Sequence, residues 1–326
     1  MMEILFDEIP SLDLAHFTKG SPDQKKAFVK ALGEAYQNIG FVAIKNHGLS
    51  QGLQDQLYQS IQDFFALPDS VKTKYEHPEI GYQRGYTGKG KEHAKGRNTG
   101  DLKEFYHVGQ ELSSIPDTDS VKKEYPSNVW PEEIPLLKDS SIEAYQTLEN
   151  AGKSMLQAIA LHLGLDEDYF EDKVAYGNSI LRQIHYFPIE NPDEVPADAV
   201  RAAEHGDINL ITLLMGASAD GLQVLRKDGV WIPITALPDQ IVVNVGDMLE
   251  RLTNKKLKST IHRVVNPSRE KMNSSRYSIP FFMHPRSEMD LTCLESCVDS
   301  ENPKQFTDIS AGGFLEERLR ELGLRS

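Results

Sequence analysis

His205-Gly206-Asp207, then His262, then Arg276-Tyr277-Ser278: these residues punctuate a run of short apolar segments in the second half of the chain. Two imidazoles and one carboxylate suit a divalent iron ion held on one face, with its remaining positions open to reactants. Arg276 offers a planar fork that can hold a carboxylate through two parallel hydrogen bonds, and the Ser278 hydroxyl can add a third. Side chains two apart in a strand share a face, so Arg276 and Ser278 converge if this segment is extended. His205 and Asp207 converge in the same way, with Gly206 allowing a close turn between them. Any one of these residues alone is ordinary. Their order within strand-like segments defines a candidate site for a metal and a carboxylate.

Working outward, the texture from Ile180 onward is that of short strands and turns. Candidate strands cover 180–187, 210–215, 222–226, 241–245, 259–265 and 275–283. Turns fall at Asp220-Gly221, Asp228-Gly229, Pro238-Asp239 and Gly246-Asp247. Many short strands of this kind predict a jelly roll. If Arg276 and Ser278 face inward, Phe282 does too. Upstream, the period is helical. Ser21-Pro22 starts a helix whose Phe28, Leu32, Ala35 and Tyr36 keep one apolar face, ending at Gly40. Ser50 caps a second helix, and a long third is expected over about 140–163, with a short helical piece at 166–170. Asn46-His47-Gly48 reads as a turn, its histidine hydrogen-bonded locally and not a ligand. The expected class is α+β, a double-stranded β-helix core braced by N-terminal helices. It forms one domain: a mainly helical part at 1–175, a jelly-roll core at 176–290, and a C-terminal extension at 291–326 with a helix.

Glycines at 81, 85, 88, 90, 96 and 100 alternate with basic residues, but no phosphate-cradling Gly-x4-Gly-Lys pattern is present. This segment reads either as a solvated loop or as a lid over the site. A formal charge of −14 and a pI near 5.2 argue against a nucleic-acid or anionic-membrane surface. Cys293 and Cys297 are the only cysteines, so no disulfide framework is indicated and both read as ordinary thiols. The first ten residues carry acids and no basic segment, and no apolar run approaches the ~20 residues of a membrane span. A cytoplasmic protein is expected. The oligomeric state is not legible.

The chain resembles the isopenicillin N synthase-like iron(II)/2-oxoglutarate-dependent oxygenases. The resemblance is carried by Glu204-His-Gly-Asp-Ile-Asn-Leu-Ile-Thr-Leu-Leu214, Val245-Gly-Asp247, Lys258-Ser-Thr-Ile-His-Arg-Val264 and Arg276-Tyr-Ser278. It extends to Leu181-Arg-Gln-Ile-His-Tyr-Phe-Pro188 and Gly40-Phe-Val-Ala-Ile-Lys-Asn-His-Gly48, so it spans nearly the whole chain. It implies Fe(II) on His205, Asp207 and His262, with 2-oxoglutarate and O2 as co-substrates and a small molecule as substrate. The far carboxylate of 2-oxoglutarate would rest on Arg276, Ser278 and Tyr186, and succinate and CO2 would be released as the substrate is oxidised, most often by hydroxylation. Parity turns Arg182 and Ile184 inward with Tyr186, and His185 outward. Plant relatives usually carry asparagine at the position of Ile184, so one polar contact of that pattern is missing here. Candidate substrate contacts are Arg182, Phe282, Phe105 and Tyr106, the last two from a segment similar to one that approaches the substrate in this family. Two other readings stay open at this stage: a 2-oxoglutarate-independent oxidase with the same metal triad, and a jelly roll that binds metal without catalysis. The latter needs a closed coordination shell, whereas only three ligands are evident.

Overall fold

Ser21 accepts from the Gln24 amide while the Gln24 side chain accepts from the Ser21 amide, and Pro22 occupies the first helical position. That capping box starts one of the helices that back the sheet. The computed structural model describes residues 5–91, 103–117, 119–189, 201–216, 221–234, 239–266, 270 and 272–321. Its helices are α1 (Leu14–Thr18), α2 (Pro22–Asn38), α3 (Gln51–Phe65), α4 (Asp69–Lys72), α5 (Val121–Glu124), α6 (Pro135–His162), α7 (Glu171–Val174), α8 (Asp247–Leu252) and α9 (Ala311–Glu321). The strands are β1 (Ser11–Asp13), β2 (Phe41–Lys45), β3 (Gly85–Thr87), β4 (Lys103–Gly109), β5 (Ile180–Tyr186), β6 (Ala202–His205), β7 (Ile211–Met215), β8 (Leu222–Leu225), β9 (Trp231–Pro233), β10 (Ile241–Val245), β11 (His262–Val264) and β12 (Arg276–Met283).

These strands form two sheets. The larger runs β1-β2-β10-β7-β12-β5-β4-β3 and the smaller β6-β11-β8-β9. Apart from the parallel β1/β2 pair, neighbours in the larger sheet are antiparallel. The expected jelly-roll core is present, and the mainly helical N-terminal segment also contributes β1 to β4 to the larger sheet.

Alternation divides each central strand between two apolar layers. On one side, Leu181, Leu213, Val243 and Phe281 pack with Leu32, Tyr36, Leu57, Phe64, Leu148 and Met155 of the helices. On the other, Phe41, Phe105, Ile184, Tyr186 and Val242 meet Val224, Ile232 and Val264 of the smaller sheet. The helix α6 comes close because Gly152 has no side chain: a Cβ there would lie 2.5 Å from Met283 Sδ and 3.3 Å from Leu213 Cδ1.

Several expected boundaries shift for local reasons. The long helix starts at Pro135, a residue suited to a first turn. Residues 166–170 form turns, with Tyr169 N donating to Asp166 O, and the short helix follows as α7. The strand expected over 259–265 shrinks to β11, because Ser259 N donates to Glu250 Oε1 and the Thr260 hydroxyl to Ile39 O. His47 accepts from Leu49 N in a turn where Asn46 and Gly48 have positive φ, as expected. Cys293 and Cys297 are buried free thiols. The glycine-rich stretch yields β3, and its residues 92–100 lie outside the described residues, as do Asp101, Asp220, Pro238 and the end of the C-terminal helix beyond Glu321. The helix α9 docks by its first turn, where Ala311 N donates to Met289 O and Phe314 packs against the Arg251 guanidinium at 5.4 Å. Among the described residues no helix is long and apolar enough to cross a membrane.

Candidate active site

Antiparallel pairing of β6 with β11 sets His205 directly opposite His262, and a register shift follows at that point. Asp207 lies just past the end of β6. One ligand atom from each of the three residues falls within 4.8 Å of the others. Each imidazole is oriented from behind: His205 Nδ1 is 2.6 Å from Ala203 O, and His262 Nδ1 is 3.1 Å from Thr260 O. A carbonyl only accepts, so each Nδ1 carries the proton and each Nε2 keeps its lone pair for a ligand. Asp207 Oδ2 accepts from Thr212 Oγ1 at 2.7 Å and from Asn244 Nδ2 at 2.8 Å. Its Oδ1 lies 3.7 Å from His262 Nε2.

The electrostatics agree with that role. Burial opposes the charge on Asp207, but the two imidazoles and the hydrogen bonds from Asn244 and Thr212 outweigh it and hold the carboxyl below its usual range. Burial, then the neighbouring His262, pushes His205 down to about 4, so it is neutral at ordinary pH. Two imidazoles and one carboxylate with a spare oxygen fit a divalent iron ion with open positions. Phe41 meets His262 edge-on at 5.5 Å and covers one flank of the site. Gly206 acts differently from the expected turn. Its φ is not positive, and it is needed instead for close approach, since a Cβ would lie 3.0 Å from Asp247 Oδ1.

Register explains the facing wall. The cross-strand pairs Arg276–Tyr186, Ser278–Ile184 and Phe282–Ile180 join β12 to β5, and Lys103–Tyr186, Phe105–Ile184 and His107–Arg182 join β5 to β4. Side chains at these alternate positions share the face toward the smaller sheet. Arg276 is 1% exposed, and its guanidinium carbon sits 4.9 Å from the centre of the Tyr186 ring. Ser278 is buried beside it. The Arg182 guanidinium lies 4.5 Å from the Phe105 ring and 5.5 Å from Phe282, and Arg182 Nε donates to His107 Nε2 at 2.6 Å. His107 Nδ1 in turn faces Tyr82 O at 3.0 Å, which fixes the proton on Nδ1.

Tyr106 is the correction. It belongs to the opposite face of β4, fully buried among the helices, with its hydroxyl donating to Val129 O at 2.5 Å and its ring 4.9 Å from Phe64. Neighbours in a strand cannot both face one cavity, so Phe105 and Tyr106 exclude each other. His185 faces outward as expected, bonded to Glu104 Oε1 and Ser275 Oγ, both at 2.8 Å.

The sequence reading passed over Thr212, Asn244, His107 and Phe41. The parity that places Phe105 would have found His107, two residues on. Nothing local marks Asn244 as a partner of Asp207. His284 was also missed: two residues past Phe282, it keeps accessible surface, has no hydrogen-bond partner for its ring among the described residues, and is pushed down to about 4 by burial.

Comparison with known proteins agrees with this geometry. Residues 177–285 match the 2OG-Fe(II) oxygenase superfamily, and residues 9–133 match the N-terminal region of non-haem dioxygenases in morphine synthesis. A 2OG-Fe(II) oxygenase family protein from Caulobacter crescentus is 41% identical and superposes with a TM-score of 0.85, over 96% of this chain and 99% of that one. A Neurospora crassa protein, solved in complex with alpha-KG and thymine, is 29% identical with a TM-score of 0.84, covering 96% of each chain. The 2-oxoglutarate-Fe(II) type oxidoreductase ppzD of Metarhizium majus is 32% identical over 331 residues, 95% of this chain and 94% of its own. With its triad, two-sheet core and near full-length relatives, the chain belongs to the 2-oxoglutarate–Fe(II) oxygenase superfamily and is an Fe(II)/2-oxoglutarate-dependent dioxygenase.

Proposed function

We propose that His205, Asp207 and His262 hold the iron, that Arg276, Ser278 and Tyr186 hold the far carboxylate of 2-oxoglutarate, and that a small molecule bound against Arg182, Phe105 and Phe282 is hydroxylated. The observation that carries this reading is the pair of imidazoles with Nδ1 tied to backbone carbonyls, facing an Asp207 that spends one oxygen on Thr212 and Asn244. Bound there, iron and 2-oxoglutarate supply the oxidising chemistry, with 2-oxoglutarate leaving as succinate and CO2. The residues supply position: a buried guanidinium and hydroxyl for the carboxylate, and aromatic walls that exclude water from the substrate. The complex of the Neurospora crassa relative with alpha-KG and thymine supports a small planar substrate for a wall of this type.

Anaerobic titration of the Fe(II)-loaded protein with 2-oxoglutarate tests it. A saturable visible charge-transfer band is expected, with succinate released when O2 and substrate are added. Iron binding without a band would overturn the co-substrate assignment. The two halves of the site should separate on mutation. Asp207→Ala should lose iron and turnover together, whereas Arg276→Ala should retain iron and weaken 2-oxoglutarate by about 10- to 100-fold, the scale of a charged hydrogen-bonded pair.

A further inference from the structure

Arg201 stands immediately before β6 and is 1% exposed. Its Nη2 donates to Ser274 O at 2.9 Å, while Nε and Nη1 have no hydrogen-bond partner among the described residues. It makes no ion pair among them either. A guanidinium stays charged at any ordinary pH, so burying one against a single backbone carbonyl is unfavourable unless an anion completes its surroundings. Its electrostatic neighbours indicate where that anion would sit. After burial itself, the charge of Arg276 does most to push Arg201 down, to about 10, and Tyr186 opposes this. Two buried arginines, Arg201 and Arg276, therefore lie near the tyrosine assigned to the same carboxylate. Ser274, whose carbonyl anchors Arg201, lies two residues before Arg276, so the segment leading into β12 also holds Arg201.

We infer that Arg201 is a second cationic residue of the co-substrate pocket, selecting a 2-oxo acid with a far carboxylate by adding its charge to that of Arg276. The inference rests on the assignment of Arg276 made above. With the metal end chelated as proposed above, the far carboxylate is the group left to meet Arg276 and Arg201, so the occupant is a dicarboxylic 2-oxo acid. A 2-oxo acid that chelates the metal but ends in a methyl group gains nothing from Arg201.

Calorimetric titration of the Mn(II)-loaded protein without O2 separates the possibilities, using 2-oxoglutarate and 2-oxobutyrate on wild type, Arg201→Gln and Arg201→Lys. Arg201→Gln should weaken 2-oxoglutarate by about 10- to 100-fold, leave 2-oxobutyrate unchanged, and be partly recovered in Arg201→Lys. Equal 2-oxoglutarate affinity in wild type and Arg201→Gln would overturn the inference, as would parallel loss of both ligands, the mark of a structural role. Should Arg201→Gln fail to fold, the ratio of the two affinities in Arg201→Lys decides the matter, and an unchanged ratio overturns the inference. Wild type that binds 2-oxobutyrate and 2-oxoglutarate equally well would instead overturn the assignment of Arg276.

Discussion

Tyr106 and Phe105 are adjacent and chemically alike, yet they do opposite things. Phe105 packs against the Arg182 guanidinium on the face toward the smaller sheet, while Tyr106 spends its hydroxyl on Val129 O among the helices. Tyr106→Phe should therefore lower the unfolding free energy by about 1 kcal/mol, the net worth of one buried hydrogen bond, and leave substrate KM unchanged. A shift in KM at constant stability would restore Tyr106 to the site. Two histidines predict a pH dependence. His205 and His284 each ordinarily titrate near 6.5 and are pushed to about 4 in the fold, chiefly by burial. Between those values the unfolded chain binds more protons than the folded one, so stability rises with pH across that window and is lost as pH falls through it. Denaturant midpoints of the metal-free protein should drop from pH 7 to pH 5, and the drop should be smaller in His284→Asn. An equal drop in that variant would place the effect elsewhere.

The outer faces of β4, β5 and the approach to β12 are tied together by one buried carboxylate. Glu104 accepts from Lys72 Nζ at 2.8 Å and from the Tyr86 hydroxyl at 2.5 Å, and it bonds His185, whose other nitrogen reaches Ser275. Tyr277 stacks on His185 at 4.8 Å, so the network grips β12 on both sides of Arg276. Burial opposes the charge on Glu104, but the bonds from His185, Lys72 and Tyr86 hold its carboxyl below the usual range. Lys72→Met would leave that carboxylate charged, buried and short of its cation. Breaking one partner of a buried pair costs about 3–5 kcal/mol, and the remaining donors place this case near the lower end. Chemical denaturation would measure it. A loss under about 1 kcal/mol, the scale of a single ordinary hydrogen bond, would show that Tyr86 and His185 suffice.

At the scale of the molecule, the helical N-terminal segment is built into the larger sheet of the core. The strand β2 lies between β1 and β10, and β4 lies between β3 and β5, so each needs a partner from beyond residue 175. Cutting there would expose strand edges and the apolar face now covered by β7 and β12. A fragment of residues 1–175 should lack a cooperative unfolding transition, whereas the full chain should show one. Cooperative unfolding of the fragment by circular dichroism would contradict this reading.

What the sequence by itself determined about this protein was local in origin. The inward set on β12, the caps of α2 and α3 and the apolar faces of the helices all follow from spacing within a few residues, where helix and strand periodicity act directly. The His205, Asp207 and His262 triad was legible because each ligand keeps its chemical type whatever surrounds it. Only the tertiary structure decided the rest. Asn244 reaches Asp207 across 37 positions, and Glu104 reaches His185 across 81. Arg201 reaches the Ser274 carbonyl, just ahead of β12, across 73 positions. The choice between Phe105 and Tyr106 depended on which face of β4 met the helices. Such contacts are set by how two sheets and a helical layer bury their apolar faces together, and no single segment carries that information.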